Sequence, residues 1–155
     1  MTTATKPLRM TPAVAPLEWE GQAALFEMID KMKAQYPQLK LVFAIPNGQA
    51  LKGFTSKKGV RVCPEGSKWK AMGVRPGVPD IFVCVWRPFW IEEGDVHHGL
   101  YIKMKRKGEK PREEQEAMHT LLRNEGYRVE VCDSWYKAWD LIVGYLGLPE
   151  ELLSK

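Results

Sequence analysis

The spacing of apolar positions changes from segment to segment along this chain, and the changes mark out its elements. From Leu17 to Tyr36, residues Leu25, Ile29 and Met32 recur at helical spacing, and Pro37 ends the run, which predicts a helix. Leu39 to Ile45 is a short apolar run that reads as a strand, broken by Pro46-Asn47-Gly48. Asp80 to Trp86 is nearly all apolar, which predicts a central strand buried on both faces. Arg87 to Gly99 reads as a loop, and Leu100 to Lys105 as a third strand of alternating character. Pro111 opens a second helix with Glu113 and Glu114 in its first turn, where the helix dipole favours acids. Gln115, Met118 and Leu122 share one line of that helix, and Gly126 is a C-terminal stop. Tyr127 to Cys132 alternates as a strand, and Ser134 can cap a last helix carrying Ala138, Leu141, Ile142 and Tyr145. Gln49 to Val78, rich in Gly, Lys and Ser, yields only a short helix near Ser67 to Met72. The order of helix, three strands, helix, strand and helix predicts an α/β sandwich, a mixed sheet flanked by helices.

Composition narrows the setting. A length of 155 residues fits one domain, and a 45% hydrophobic fraction is enough for a core. The expected division is a loose arm over 1–16, rich in Thr, Ala and Pro with no secretory h-region, and a single domain over 17–155. No apolar run reaches the roughly 20 residues that a membrane span needs. Cys63, Cys84 and Cys132 are odd in number and form no CxxC pair, so a zinc site or disulfide framework is not expected, and a reducing cytoplasm is. Cys84 and Cys132 sit in strand-like runs, where cysteine behaves as a small core residue. The net charge is only +4, but its distribution is informative. Six basic residues and one acid lie between Lys103 and Arg112, and a second basic stretch runs through Lys57, Lys58, Arg61, Lys68, Lys70 and Arg75. Two such clusters suit a polyanion, usually nucleic acid, although a solvated face explains the charge equally well.

Three features could carry chemistry. Asp80 stands at the mouth of an apolar strand, where an acid is costly to desolvate unless it is paired or binds a cation; a turn aspartate after Pro79 is the plainer reading. Lys103 and Lys105 fall on one face of the next strand and Met104 on the other. Two lysines can point inward only with a partner; otherwise they belong to an exposed edge of the sheet. Gln115 on the inward line of its helix either supports a polar site or is a boundary residue. His97 and His98 read as loop histidines. Trp86, Trp90, Trp135 and Trp139 are expected in the core or an interface, whereas Trp69, among Lys68, Lys70 and Arg75, could touch DNA.

Phe43-Ala44-Ile45-Pro46-Asn47-Gly48, then Gly73-Val74-Arg75-Pro76-Gly77-Val78-Pro79-Asp80, Gly99-Leu100-Tyr101-Ile102, Lys105-Arg106, Gln115 and Gly126-Tyr127 follow one another in an order and character that resemble the virus-type replication-repair nuclease (VRR-NUC) family of the PD-(D/E)xK superfamily. The resemblance runs from about Glu18 to Tyr145 and is strongest to small stand-alone members found in phages. It implies a restriction-endonuclease-like fold and Mg²⁺- or Mn²⁺-dependent hydrolysis of DNA phosphodiesters. The substrate it implies is branched DNA such as four-way junctions, acted on by a homodimer in the cytoplasm of a phage host. Glu18 matches the family's first-helix acid, four residues before Gln22, with Glu20 as the alternative. Asp80 matches the metal-binding aspartate, Lys105 the lysine of the (D/E)xK element, and Gln115 the glutamine of the following helix. The main-chain carbonyl of Met104 would be a further metal ligand. Asn47, Lys68, Lys70, Arg75, Arg106 and Lys107 would face the nucleic acid. The apolar stretch from Tyr136 to Leu153 is the candidate dimer interface.

Position 103 departs from the pattern. The family carries Glu two residues before its lysine, and this chain has Lys103. That removes a hard oxygen ligand and puts a like charge beside the cation. At about 4 Å and an effective dielectric of about 20, two unit charges interact by roughly 4 kcal/mol, and reversing the sign doubles the swing. The chain as written is therefore expected to be catalytically crippled. Lys103 is either an inactivating replacement or a natural variant that keeps DNA binding alone; an acid of Glu92-Glu93-Gly94-Asp95 could also stand in.

Overall fold

A computed structural model describes residues 18–46, 54–55, 58–59, 61–62, 64–87 and 96–154. Helix α1 spans Glu18–Met32 and turns Leu25 and Ile29 inward. The stretch read as one strand from Leu39 divides in two. Pro37 starts a 3₁₀ turn over Pro37–Leu41, and strand β1 covers only Val42–Ala44. Proline fits the first position of such a turn, because the amide it lacks would have no partner there. Within residues 49–78, where the sequence predicts only a short helix, β2 (Phe54–Thr55) and β3 (Arg61–Val62) pair antiparallel, and α2 spans Pro64–Ala71, starting three residues earlier than expected. Strands β4 (Ile81–Val83) and β5 (Leu100–Met104), helix α3 (Glu113–Asn124), strand β6 (Arg128–Cys132) and helix α4 (Trp135–Leu146) complete the elements.

The main sheet runs β1-β4-β5-β6, antiparallel except for the parallel β5/β6 pair. The chain crosses from β5 to β6 through α3, as a parallel pair requires. The expected mixed sheet with flanking helices is therefore the architecture. One face of the sheet presents Val42, Ile81, Val83, Leu100, Ile102 and Met104, which join Leu25, Ile29, Trp139 and Ile142 in one buried cluster under α1 and α4. Each fully buried Leu or Ile contributes roughly 1.5–3 kcal/mol. On the other face, alternation places Phe82, Tyr101 and Lys103; Phe82 and Tyr101 stack with ring centroids 4.4 Å apart. Helix α3 lies against β6. It ends before Gly126, whose φ of +81° makes the left-handed stop that glycine permits.

Several expectations fail at the ends of elements. Strand β4 stops at Val83, so Cys84 and Trp86 continue the apolar run outside the sheet and are exposed. Cys132 and Trp139 are buried as expected. Ser134 stands at the N-cap of α4 but its side chain makes no cap hydrogen bond. The apolar residues from Ala138 to Leu148 are largely spent on this chain's own core, leaving only Tyr136 and Leu153 as large exposed apolar groups in the proposed dimer stretch. No helix among the described residues is long and apolar enough to cross a membrane. Asn47, Cys63, Trp90 and the acids of 92–95 lie outside the described residues, as does the arm over 1–16.

Candidate active-site cleft

The turn before β4 is clamped to the start of α3. Gly77 has φ +82°, and a Cβ there would lie 2.5 Å from the carbonyl oxygen of Glu114. Glycine is thus needed both for the backbone sign and for the close approach. This contact brings the strand that carries Asp80 against the helix turn that carries Gln115. The main chain fixes Asp80 from both sides: its amide donates to Ile102 O at 3.1 Å, and Ile45 N donates to Asp80 O at 2.7 Å.

The side chain of Asp80 bridges β4 and β5. Lys103 Nζ donates to Oδ1 at 2.7 Å, and the Met104 amide donates to Oδ2 at 2.9 Å. The Lys103 and Asp80 side chains are only 9% and 13% exposed. The edge-strand reading of the two lysines is therefore wrong: Lys103 and Lys105 are both buried. Alternation placed them on one face correctly, and the partner that makes burial tolerable for Lys103 is Asp80.

Asp80, Lys103, Lys105 and Gln115 all line one cleft of about 1470 Å³, together with Trp19, Gln22 and Phe26 of α1 and Trp69 of α2. Gln115 is half-buried, and its Oε1 accepts the Arg112 amide at 2.9 Å, the reach-back half of a capping box. Its first task is to close the N-terminus of α3, a role that its place three residues after the cap could have signalled. Gln22 lines the cleft one turn after Glu18, whose side chain lies outside the described set. Glu20 is exposed and does not line the cleft.

Six basic side chains, Lys70, Arg75, Lys103, Lys105, Arg106 and Arg112, line this cleft against three acids, Asp80, Glu109 and Glu114. Such an excess favours an anion. Lys68 and Lys107 are exposed but do not line the cleft.

One residue near the floor was not foreseen. His119 on α3 is completely buried, and neither ring nitrogen has a hydrogen-bond partner among the described residues. Burial pushes its imidazole below the ordinary value, Glu116 opposes the shift, and Arg123 and Lys103 add to it. A helical histidine between Met118 and Thr120 carries no sequence mark of such a place.

The described side chains do not fit a divalent cation. Among them no group of three or more His, Cys, Asp or Glu residues could hold a metal ion. Asp80 already has both oxygens engaged, one of them by an ammonium. The Met104 amide donates to Asp80 Oδ2, and its carbonyl, the ligand that the resemblance implies, takes no part in that contact.

The sequence matches no family model and no curated protein. Among solved structures, a chain described as a "VRR_NUC domain protein" superposes with a TM-score of 0.61 at 23% identity, covering 92% of this chain and 99% of that one. The shared architecture spans nearly the whole of both chains, so this protein has the fold of a VRR_NUC domain protein, a mixed four-stranded sheet between helices.

Proposed function

We propose that the chain is a member of the VRR-NUC family, a structure-specific DNA endonuclease in its ancestry that binds branched DNA in this cleft and does not cut it with Lys103 in place. The observation that carries the reading is the meeting of Asp80, Lys103, Lys105 and Gln115 at the floor of one cleft with a basic lining. These residues come from the turn before β4, from β5 and the residue after it, and from α3, and the resemblance named them as one site. The family's chemistry uses Mg²⁺ or Mn²⁺; with lysine at 103, the carboxylate of Asp80 is already paired with an ammonium.

A catalytically silent DNA-binding module and a silenced nuclease share this interface. The Lys103–Asp80 pair favours the silent form for the chain as it stands. The nucleic-acid part of the reading is tested by fluorescence anisotropy of a labelled four-way junction at low and moderate salt. Binding whose affinity falls steeply with salt is expected, at a slope of about −0.9 per phosphate contacted in duplex DNA. Absence of binding at low salt would exclude a nucleic-acid partner. Light scattering at micromolar concentration tests the dimer: a dimeric mass is expected, and a monomer would remove the two-fold arrangement from the proposal.

A further inference from the structure

Asp80 takes its counter-ion from its own chain. Lys103 Nζ sits 2.7 Å from Oδ1, and the Met104 amide meets Oδ2 at 2.9 Å, so both carboxylate oxygens are engaged within the fold. An ammonium has three N–H donors. Among the described residues, Asp80 is the one hydrogen-bond partner of Lys103 Nζ, and Lys103 also lines the cleft. The side chain is 9% exposed, which confines the ammonium to the floor before any ligand arrives.

We propose that Lys103 takes the place of a divalent cation. Its ammonium is the permanent counter-ion of Asp80, and its remaining donors meet a phosphodiester of the nucleic-acid backbone, so the chain grips phosphate without metal and admits no metal beside Asp80. This deepens the nucleic-acid reading and rests on it.

The charge balance points the same way. An Asp80–Lys103 pair is neutral as a unit, so among the described residues it leaves no net negative charge at Asp80 to attract a cation. Lys105, Arg106, Arg75, Lys70 and Arg112 leave the lining in positive excess over Glu109 and Glu114. A hard cation needs several oxygen ligands, and the described floor cannot supply them. A phosphate needs donors and positive charge, which the floor does supply.

The test uses the parent protein with MnCl₂ as the metal probe and a labelled four-way junction as the phosphate probe. Titration of the protein with Mn²⁺, followed by electron paramagnetic resonance of the free ion, is expected to show no stoichiometric site. One Mn²⁺ held per chain in the parent, and lost in Asp80→Asn, would overturn the proposal. Junction binding is expected to persist in EDTA. Lys103→Met is expected to lower the slope of log affinity against log salt by about 0.9, the loss of one phosphate contact. Lys103→Arg, which keeps the charge if Lys103→Met does not fold, is expected to retain binding in EDTA. Binding that requires Mn²⁺ would overturn this inference and leave the nucleic-acid reading standing. Failure to bind at low salt with or without Mn²⁺ would remove both.

Discussion

Replacing Lys103 by methionine isolates what the buried ion pair contributes to the fold. Methionine retains most of the apolar stem and deletes the ammonium. Asp80, with its side chain 13% exposed, is then left with the Met104 amide as its remaining side-chain contact from β5. Removing one partner of a buried pair costs about 3–5 kcal/mol, because a charge stays buried without compensation. Solvent screening offsets little of this at such low exposure. The loss is a large share of the roughly 5–15 kcal/mol by which a domain is stable. For a domain of this size it corresponds to a fall in Tm of roughly 6–20 °C. Adding Asp80→Asn removes the stranded charge and keeps an acceptor for the Met104 amide. The double variant is expected to return to within about 1 kcal/mol of the parent, since exchange of a buried pair for neutral groups is often nearly neutral. The assay is a double-variant cycle by urea unfolding. A Lys103→Met variant within about 1 kcal/mol of the parent would refute the claim that a buried charge is stranded when the pair is broken.

Other expectations follow from the same geometry. His119 has a folded value depressed below 6.5, so the unfolded chain takes up a proton that the folded chain resists. Its contribution to stability is complete above that value and is lost as pH falls below it, with a slope of up to about 1.4 kcal/mol per pH unit; His119→Leu is expected to flatten the unfolding profile there, and an unchanged slope would contradict the assignment. Gly77→Ala puts a methyl 2.5 Å from Glu114 O at φ +82°, and a loss of roughly 1–3 kcal/mol in thermal unfolding is expected; a variant as stable as the parent would contradict the clamp. Arg75→Gln and Arg106→Gln, both in the cleft lining, are each expected to lower the salt slope of junction binding by about 1. Lys107→Gln, outside the lining, is expected to change it less, and equal effects would place the DNA elsewhere.

Periodicity located the elements that carry the site. The helical spacing of Leu25 and Ile29, the apolar run after Asp80, the alternation around Met104 and the acids after Pro111 each mark an element in its observed place. Periodicity does not say where a strand stops. Residues Cys84 and Trp86 continue an apolar run after the sheet has ended at Val83, so Cys84, expected inside, is exposed, and Trp86, expected in the core or an interface, is not in the core. The short β2 and β3 pair leaves no periodic trace, because two-residue strands carry no pattern. Burial of Lys103 could not be read locally, since its partner lies on another strand. The same limit hid His119, whose surroundings come from elements distant in sequence. Gln115 is the reverse case: a capping signature was present, and the polar-site reading took its place. The family resemblance joined Asp80, Lys103, Lys105 and Gln115 into one site, and the fold brings those four together.

In the proposed function, one lysine, Lys103, holds a VRR_NUC-type fold silent. This claim is tested most directly by incubating a labelled four-way junction with Mg²⁺ or Mn²⁺ and either the parent protein or Lys103→Glu. With Glu at 103 a second carboxylate returns beside Asp80, and cutting by this variant alone is the expected result. Efficient cutting by the parent, or no cutting by either while both bind the junction, would contradict the claim.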